Sequence, residues 1–592
     1  MADGRHGTGV EHLSRNRKTR MMLLLLTKRA CSAARILVLA AALSAPFGCA
    51  AKDQENVPSE LPATSSEPET VWFLDVAVER GLVFVHDSGY REEFLFPETA
   101  CGGAALFDMD GDGDLDAYLV QAGNLLEPAS KRRGNQLFRN DGKGNFTNVT
   151  AGSGTEDRGY GMGVAAGDYD NDGDVDLYVT NLDTNALLRN DGNGKFTDVA
   201  REAGVALETY GASCGFLDYD RDGDLDLFIV NYLVWTPENE QICYSNRGNR
   251  TYGGPNLYSP VADTLFRNNG NGTFTDVSRE AGLWEHFGNG LGVVFGDFND
   301  DGWIDIYVAN DMTPNQLWIN QQDGTFEDVA VLAGCSMAET GAVKAGMGCN
   351  AEDLDHDGDL DLLVVNLSGE PDTYFRNEGT YFVDRTPATG LSLFSPRHTR
   401  FGAGLVDFNN DGYMDLFIAT GRINHDLPPI DRDTLAEPNM LYRGSAGPRF
   451  RLIDRPPGGI SPELITTSRA AAFGDIDNDG DVDILMLNRD MQASLLVNVA
   501  TPLGNWIQFR VLERHGRDAL GAVLRINVGD LKIRRDVKSC YSYCAANDPR
   551  VHIGLGDATR VDSVHVRWPT GEEQEFGAFE ANQTHTLRQS PP

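Results

Sequence analysis

Between Asp168 and Asp176 the chain reads DYDNDGDVD, five carboxylates in nine residues, followed at once by the apolar run Leu177-Tyr178-Val179. A bare loop with that charge repels itself; one wrapped around a hard cation is neutralised. Asp168, Asp170 and Asp172 stand at alternate positions, Gly173 supplies a turn through positive φ, and Asp174 and Asp176 complete the loop. All-oxygen donors at this spacing suit Ca²⁺, whose flexible shell takes about six to eight ligands, better than Zn²⁺ or Mg²⁺. An EF-hand needs a Glu at its twelfth position and a helix on each side. Here the twelfth residue is Val179, within a strand-like run, so the loop is expected to join two β-strands.

The pattern occurs seven times. Taking positions one, three, five, seven and nine as ligands, the other copies are Asp108, Asp110, Asp112, Asp114 and Asp116; Asp218, Asp220, Asp222, Asp224 and Asp226; Asp297, Asn299, Asp301, Trp303 and Asp305; Asp353, Asp355, Asp357, Asp359 and Asp361; Asp407, Asn409, Asp411, Tyr413 and Asp415; and Asp475, Asp477, Asp479, Asp481 and Asp483. Position seven admits Trp303 and Tyr413, so it is expected to serve through its backbone carbonyl. Up to seven structural Ca²⁺ ions are predicted as cofactors. A residue repeated in every unit cannot specify one active site, so these carboxylates are read as structural ligands and no catalytic residue is assigned. The enzymatic alternative, a carbohydrate-active or other hydrolase or lyase on the same scaffold, would need a unique polar cluster. The candidates are His286, His398-Thr399-Arg400 and Arg422-Ile423-Asn424-His425-Asp426; no Ser-His-Asp signature, nucleotide loop or HExxH is present.

The elements that position the loops repeat with them. The mean spacing is about 61 residues, enough for a four-stranded blade and a loop. A Gly-rich strand such as Gly161 to Ala166 precedes each acidic loop, a second such as Asp176 to Thr180 leaves it, and a hairpin from Asn185 to Val199 follows, turning at Asn-Asp-Gly-Asn-Gly. The hairpin recurs at Asn135, Asp263, Asn315, Asp372 and Asn439, degraded in the last two. After the seventh loop only Leu495-Leu496-Val497-Asn498 remains. Its missing partner is at the other end of the chain, where Trp72 to Val76 matches Phe196 to Val199. The reading is all-β: a seven-bladed propeller over 71–504 whose N-terminal strand closes the last blade and removes its edge. An open β-solenoid leaves the position of that strand unexplained. Two polar insertions, Tyr232 to Val261 and Gly421 to Pro438, are expected to project from one rim. From 505 to 588 the repeat gives way to a small β-sandwich with strands at Trp506 to Leu512, Ala522 to Val528, Arg550 to Ile553, Val561 to Trp568 and Glu573 to Phe576; 589–592 form a tail.

Lys28, Arg29 and Arg35 precede the apolar segment Ile36 to Leu43, too short to span a membrane, which marks 1–49 as an N-terminal extension with a secretory signal, translated from Met1, Met21 or Met22. Gly48-Cys49 resembles a bacterial lipobox without its usual preceding residues, leaving a lipidated Cys49 or cleavage near Ala50, and 50–70 is a flexible Glu/Ser/Pro-rich linker. The chain is therefore expected to be exported, as an outer-membrane or cell-surface lipoprotein or as a periplasmic or extracellular protein. Of its 88 acidic residues, 32 sit in the seven loops. Seven Ca²⁺ would still leave the net charge of −38 near −24, which disfavours a nucleic-acid partner. Beyond Cys31 and Cys49 an odd seven cysteines remain, with Cys335 and Cys349, or Cys540 and Cys544, open to pairing.

The repeats resemble FG-GAP/VCBS repeats. The segments Arg517 to Ala522, Ser542-Tyr543, Asn547 to Gly556 and Val564 to Gly571 resemble the ASPIC/UnbV domain. Together they are similar to bacterial members of the cartilage acidic protein family, over residues 71–588. The resemblance implies export and calcium binding, with adhesive or matrix associations in animal members. It also places a Cys where Gly253 stands, which puts a disulfide from Cys243 in question. The function expected is cell-surface or extracellular binding or adhesion, through a protein or glycan ligand, with membrane attachment only through Cys49.

Overall fold

In a computed structural model, residues 71–245, 247–424, 433–453 and 459–591 are described. The signal-like segment, Cys49, the 50–70 linker, His425 and Asp426 lie outside them. Among the described residues no helix exceeds four residues, and none is long and apolar enough to cross a membrane.

Seven sheets share one plan. In the second, the strands Gly161–Gly167, Asp176–Asn181, Ala186–Asn190 and Phe196–Asp198 pair antiparallel in that order, with the acidic loop between the first two. The first two strands are buried along their whole length, because a neighbouring sheet covers each face. The first strands pack on one another in a cycle: Ala104–Phe107, the first of its sheet, touches both Gly161–Gly167 and Ser468–Gly474. The molecule is a β-propeller. Its innermost strands are Gly-rich because their main chains converge on the axis: a Cβ at Gly163 would lie 2.5 Å from the Ala212 carbonyl oxygen, and one at Gly292 would lie 2.2 Å from that of Met347.

The N-terminal strand completes the last sheet as its sequence requires. Phe73, Leu74 and Asp75 pair antiparallel with Asn498, Val497 and Leu496, and Ile460–Ser461 adds a parallel strand outside them. The 232–261 insertion leaves the ring at the end opposite the acidic loops. There Phe96 stacks on Tyr232 (centroids 5.7 Å) and meets Tyr258 at a tilt (5.0 Å), while Glu240 accepts hydrogen bonds from the Phe96 amide, Trp235 Nε1 and Tyr258 OH. This part of the insertion is thus an aromatic cover for one end of the axis.

The C-terminal module forms a three-stranded sheet (Val551–Gly556, Asn505–Leu512, Thr584–Arg588) and a four-stranded one (Leu531–Asp536, Val523–Val528, Ser563–Arg567, Glu573–Phe576). Its apolar residues, among them Phe509, Ile526, Ile553 and Val566, merge with Tyr169, Phe216 and Leu225 of the propeller into one cluster. The segment from Ser539 to Asp548 leaves this module and runs along the propeller axis, touching all seven innermost strands. Ala545 and Ala546 pair with Ala104 and Ala105. Ser539 Oγ donates to the Ala166 carbonyl, Cys544 N to Ser213 Oγ, and Cys540 Sγ lies 3.7 Å from the Val293 carbonyl. Ser542 and Cys349 exchange both backbone hydrogen bonds, and Ser542 Oγ accepts from Ala403 N and donates to the Ala471 carbonyl. Tyr543, fully buried, packs edge-on against Phe401 and donates its hydroxyl to the Ala100 carbonyl at 2.6 Å. The axis is therefore filled by the chain's own C-terminal segment.

This arrangement corrects the cysteine expectations. All seven described cysteines are free thiols, including Cys335, Cys349, Cys540 and Cys544. Cys540 points to the Cys214 carbonyl and Cys544 toward Ser213, and burial pushes both thiols up to about 12, so they act as small apolar packing groups.

Candidate metal centres

Within each loop the carboxylates divide the work. At position one, Asp168 accepts the amides of Asp172 (3.1 Å) and Gly173 (3.0 Å), curling the loop back on itself. At position nine, one oxygen of Asp176 accepts the Tyr169 amide and the other the Asn190 amide of the adjoining hairpin. The same pair of bonds recurs at Asp116, Asp226, Asp305, Asp361, Asp415 and Asp483, so position nine fastens loop to hairpin in every sheet.

Five loops bring three carboxylates to one point. Oxygens of Asp108, Asp110 and Asp116 lie within 4.8 Å of one another, as do those of Asp168, Asp170 and Asp176; of Asp218, Asp220 and Asp226; of Asp353, Asp355 and Asp357; and of Asp475, Asp477 and Asp483. The same five loops contain buried carboxylate oxygens with no hydrogen-bond partner, on Asp110, Asp170, Asp218, Asp353, Asp355 and Asp477. A buried carboxylate oxygen without a donor is costly, and several facing one another are costlier still. Burial, with mutual repulsion, pushes Asp116 and Asp361 up to about 8, Asp218 and Asp475 to about 7, and Asp168 and Asp353 to about 6. A divalent cation would supply the missing charge and take up the orphaned oxygens, so these residues fit Ca²⁺.

Four position-seven side chains, those of Asp114, Asp224, Trp303 and Asp481, reach neighbouring sheets. Asn171, at position four of the second loop, donates to Asp224 at position seven of the third (2.7 Å); Asn410 donates to Asp481, and Asn478 to Asp114. Between the third and fourth loops the pair is Arg221 over the Trp303 ring at 3.9 Å. Position seven thus tolerates Trp303 because its side chain is an inter-sheet latch matched to its neighbour. The asparagine that ends each hairpin strand is a second tie, unremarked in the sequence. Asn190 Nδ2 donates to the Val175 carbonyl of its own loop and to the Met109 carbonyl of the previous one, and Asn140, Asn268, Asn320, Asn377 and Asn498 repeat the bridge. Its recurrence just before every turn but one was the available signal; in the sixth sheet Gly444 stands there, since a Cβ would lie 1.9 Å from the Met414 carbonyl.

The unique clusters singled out as enzymatic candidates have structural partners. Fully buried Arg400 pairs with Asp372 at 2.6 Å and donates to the carbonyls of Glu370, Ser395 and His398. Buried Glu437 takes Arg422 (3.2 Å), His398 (3.4 Å) and the Thr399 amide. His286 lies on the surface, 2.8 Å from Asp328, away from these groups.

A family model described as FG-GAP-like repeat matches residues 108–179, 168–229, 233–308, 297–364 and 353–418, and one described as ASPIC and UnbV matches 512–591. Cartilage acidic protein 1 of Homo sapiens is 28% identical over 316 residues, 50% of this chain and 43% of that protein; its Xenopus tropicalis counterpart is 27% identical over 316 residues and 44% of its length. The match thus spans under half the length of these relatives. Among solved structures, the chain is similar to an Agrocybe aegerita lectin recognising non-reducing terminal N-acetylglucosamine (TM-score 0.35, 16% identity, 67% of this chain and 89% of that one) and to YCF48 bound to D1 peptide (TM-score 0.37, 10% identity, 70% and 100%).

Proposed function

This chain belongs to the FG-GAP-like repeat family, with an ASPIC and UnbV module at its C-terminal end, and from that premise we propose that it is an exported, calcium-stabilised binding protein whose ligand is an extracellular protein or glycan. The observation that carries the calcium reading is the coincidence, in five loops, of converging carboxylates with orphaned buried oxygens. Repetition of the sites argues for a structural ion, and the described members Arg400, His398, Arg422 and His286 are engaged in ion pairs. Export rests on the signal-like segment before Cys49, and anchoring at the cell surface on lipidation of that residue.

Extracellular modules bind Ca²⁺ at about 10⁻⁴ to 10⁻³ M, so external calcium would be linked to stability. Melting in millimolar Ca²⁺ and in EGTA tests this: a large upward shift with calcium is expected, and identical curves would overturn the metal reading. Probing glycan and matrix-protein arrays under both conditions tests the binding role, with calcium-dependent retention expected and an empty array in calcium counting against it.

A further inference from the structure

Resting on the calcium reading above, we propose that only five of the seven loops take an ion, and that the C-terminal module occupies the other two: Arg567 is a tethered cation in the fourth loop, and the strand Val551–Gly556 closes the sixth.

In the fourth and sixth loops position three is Asn299 or Asn409, and its amide satisfies a would-be ligand. Asn299 Nδ2 donates to Asp301 Oδ2 at 3.0 Å, where Gln322 Nε2 also donates; Asn409 Nδ2 donates to Asp411 Oδ2 at 2.9 Å, where Arg443 Nη2 also donates. Among the described residues, neither loop contains an orphaned carboxylate oxygen or a converging carboxylate triad, in contrast to the other five.

The fourth loop also holds its own positive charge. Arg567 Nη2 lies 2.5 Å from Asp297 Oδ2, with side chains 11% and 3% exposed, so the guanidinium pairs with the position-one carboxylate in a largely buried setting. Arg525 pairs with Asp300 at 2.6 Å, and Arg534 donates to the Asp297 carbonyl. A guanidinium fixed by the fold neutralises Asp297 without losing an ion to solvent, and its hydrogens occupy the carboxylate lone pair that a cation would use. The first loop shows the contrast: Arg510 is 3.4 Å from Asp108 and shared with Asp518 at 3.3 Å, and Asp110 keeps its free oxygen. At the sixth loop the main chain of Gly554 lies directly on Asp407, for a Cβ there would be 1.9 Å from Asp407 Oδ2, while His552 Nε2 sits 2.8 Å from Asn410 Oδ1.

Native mass spectrometry of the mature chain in calcium should count five ions. Terbium reads the seventh site, where the Trp506 ring lies against Gly480. Tryptophan-sensitised Tb³⁺ emission should fall in Trp506→Phe, and native mass spectrometry of Arg567→Gln should count a sixth ion. Seven ions in the unaltered chain, or a folded Arg567→Gln that still counts five, would overturn the proposal. Should Arg567→Gln fail to fold, the ion count of the unaltered chain decides it alone. No ion at all would instead overturn the calcium reading beneath it.

Discussion

Ser542 gives the most direct measure of how firmly the axial segment joins the propeller. Its backbone is held in the left-handed region (φ 80°), which costs a non-glycine residue about 1 kcal/mol and persists only where the surroundings over-determine it. Its hydroxyl accepts from Ala403 N at 3.0 Å and donates to the Ala471 carbonyl at 2.9 Å, tying together the first strands of the sixth and seventh sheets. Ser542→Ala removes both bonds, leaves a buried N–H and a buried C=O unpaired, and creates almost no cavity. Two bonds at about 1 kcal/mol each, plus partial desolvation of the orphaned groups, give a loss of about 2–4 kcal/mol. Hydrogen exchange followed by mass spectrometry on peptides covering Arg400–Val406 and Ser468–Gly474 reads the effect where it arises. Exchange there should accelerate roughly 30- to 700-fold, at about 1.4 kcal/mol per decade. Ser590→Ala, on the exposed tail, is the control. Wild-type protection of both strands in Ser542→Ala would refute the view that this segment holds the ring.

Asn190→Ala deletes the tie between the first and second sheets and should cost about 2–4 kcal/mol, read as a lower denaturant midpoint; an unchanged midpoint would mean the bridging amide is replaceable by water. Gly253→Cys should restore the bridge that the family resemblance implies, since a Cβ at Gly253 lies 3.3 Å from Cys243 Sγ and only the flexible Leu257 side chain must yield. A bridge closing about ten residues should stabilise by about 2–3 kcal/mol, checked by the mass loss of two hydrogens and by melting with and without reductant. Glu98, buried beside Tyr252, is raised by burial from 4.5 to about 7. A folded-state value above the unfolded one favours the native state at acid pH, and that advantage is lost as pH rises through 7. Glu98→Gln should therefore match wild type near pH 4 and exceed it by up to about 3 kcal/mol above pH 8, measured as urea midpoints across that range; a difference independent of pH would refute the assignment.

The loops, hairpins and closing strand were legible because each rests on local chemistry or on a repeat visible in one sequence. Asp at positions one, five and nine, Gly at six and a strand period on either side determine a loop wherever they occur, and Trp72 to Val76 could be recognised as a displaced copy of Phe196 to Val199. The axial segment was not legible. Ser-Cys-Tyr-Ser-Tyr-Cys at 539–544 has neither period nor charge pattern to mark it as buried, because its partners are seven strands spread over nearly 400 residues. The strand Leu531–Asp536 was hidden for the opposite reason: its arginines belong to the propeller interface, where Arg534 reaches the carbonyls of Asp297 and Gly358, so its polarity disguised a buried element. Position seven was assigned to the metal through its carbonyl on the strength of Trp303, whereas the side chain's own role becomes visible only beside Arg221 of the neighbouring sheet.

The closure by Phe73–Asp75 also sets an order of events. Asp75 accepts the amide of Leu495, 420 positions away, and a loop of that length costs about 5 kcal/mol in chain entropy, before a constant term, to bring its ends together. Each acidic loop, by contrast, is complete within nine residues. During synthesis the central sheets can assemble one after another, but the first strand made must wait, unpaired, for nearly the last sheet, and the axial segment arrives later still. The closing contact of the ring is thus expected to form late, and trimming the strand Phe73–Asp75 should leave the last sheet with an unpaired edge and destabilise the whole ring.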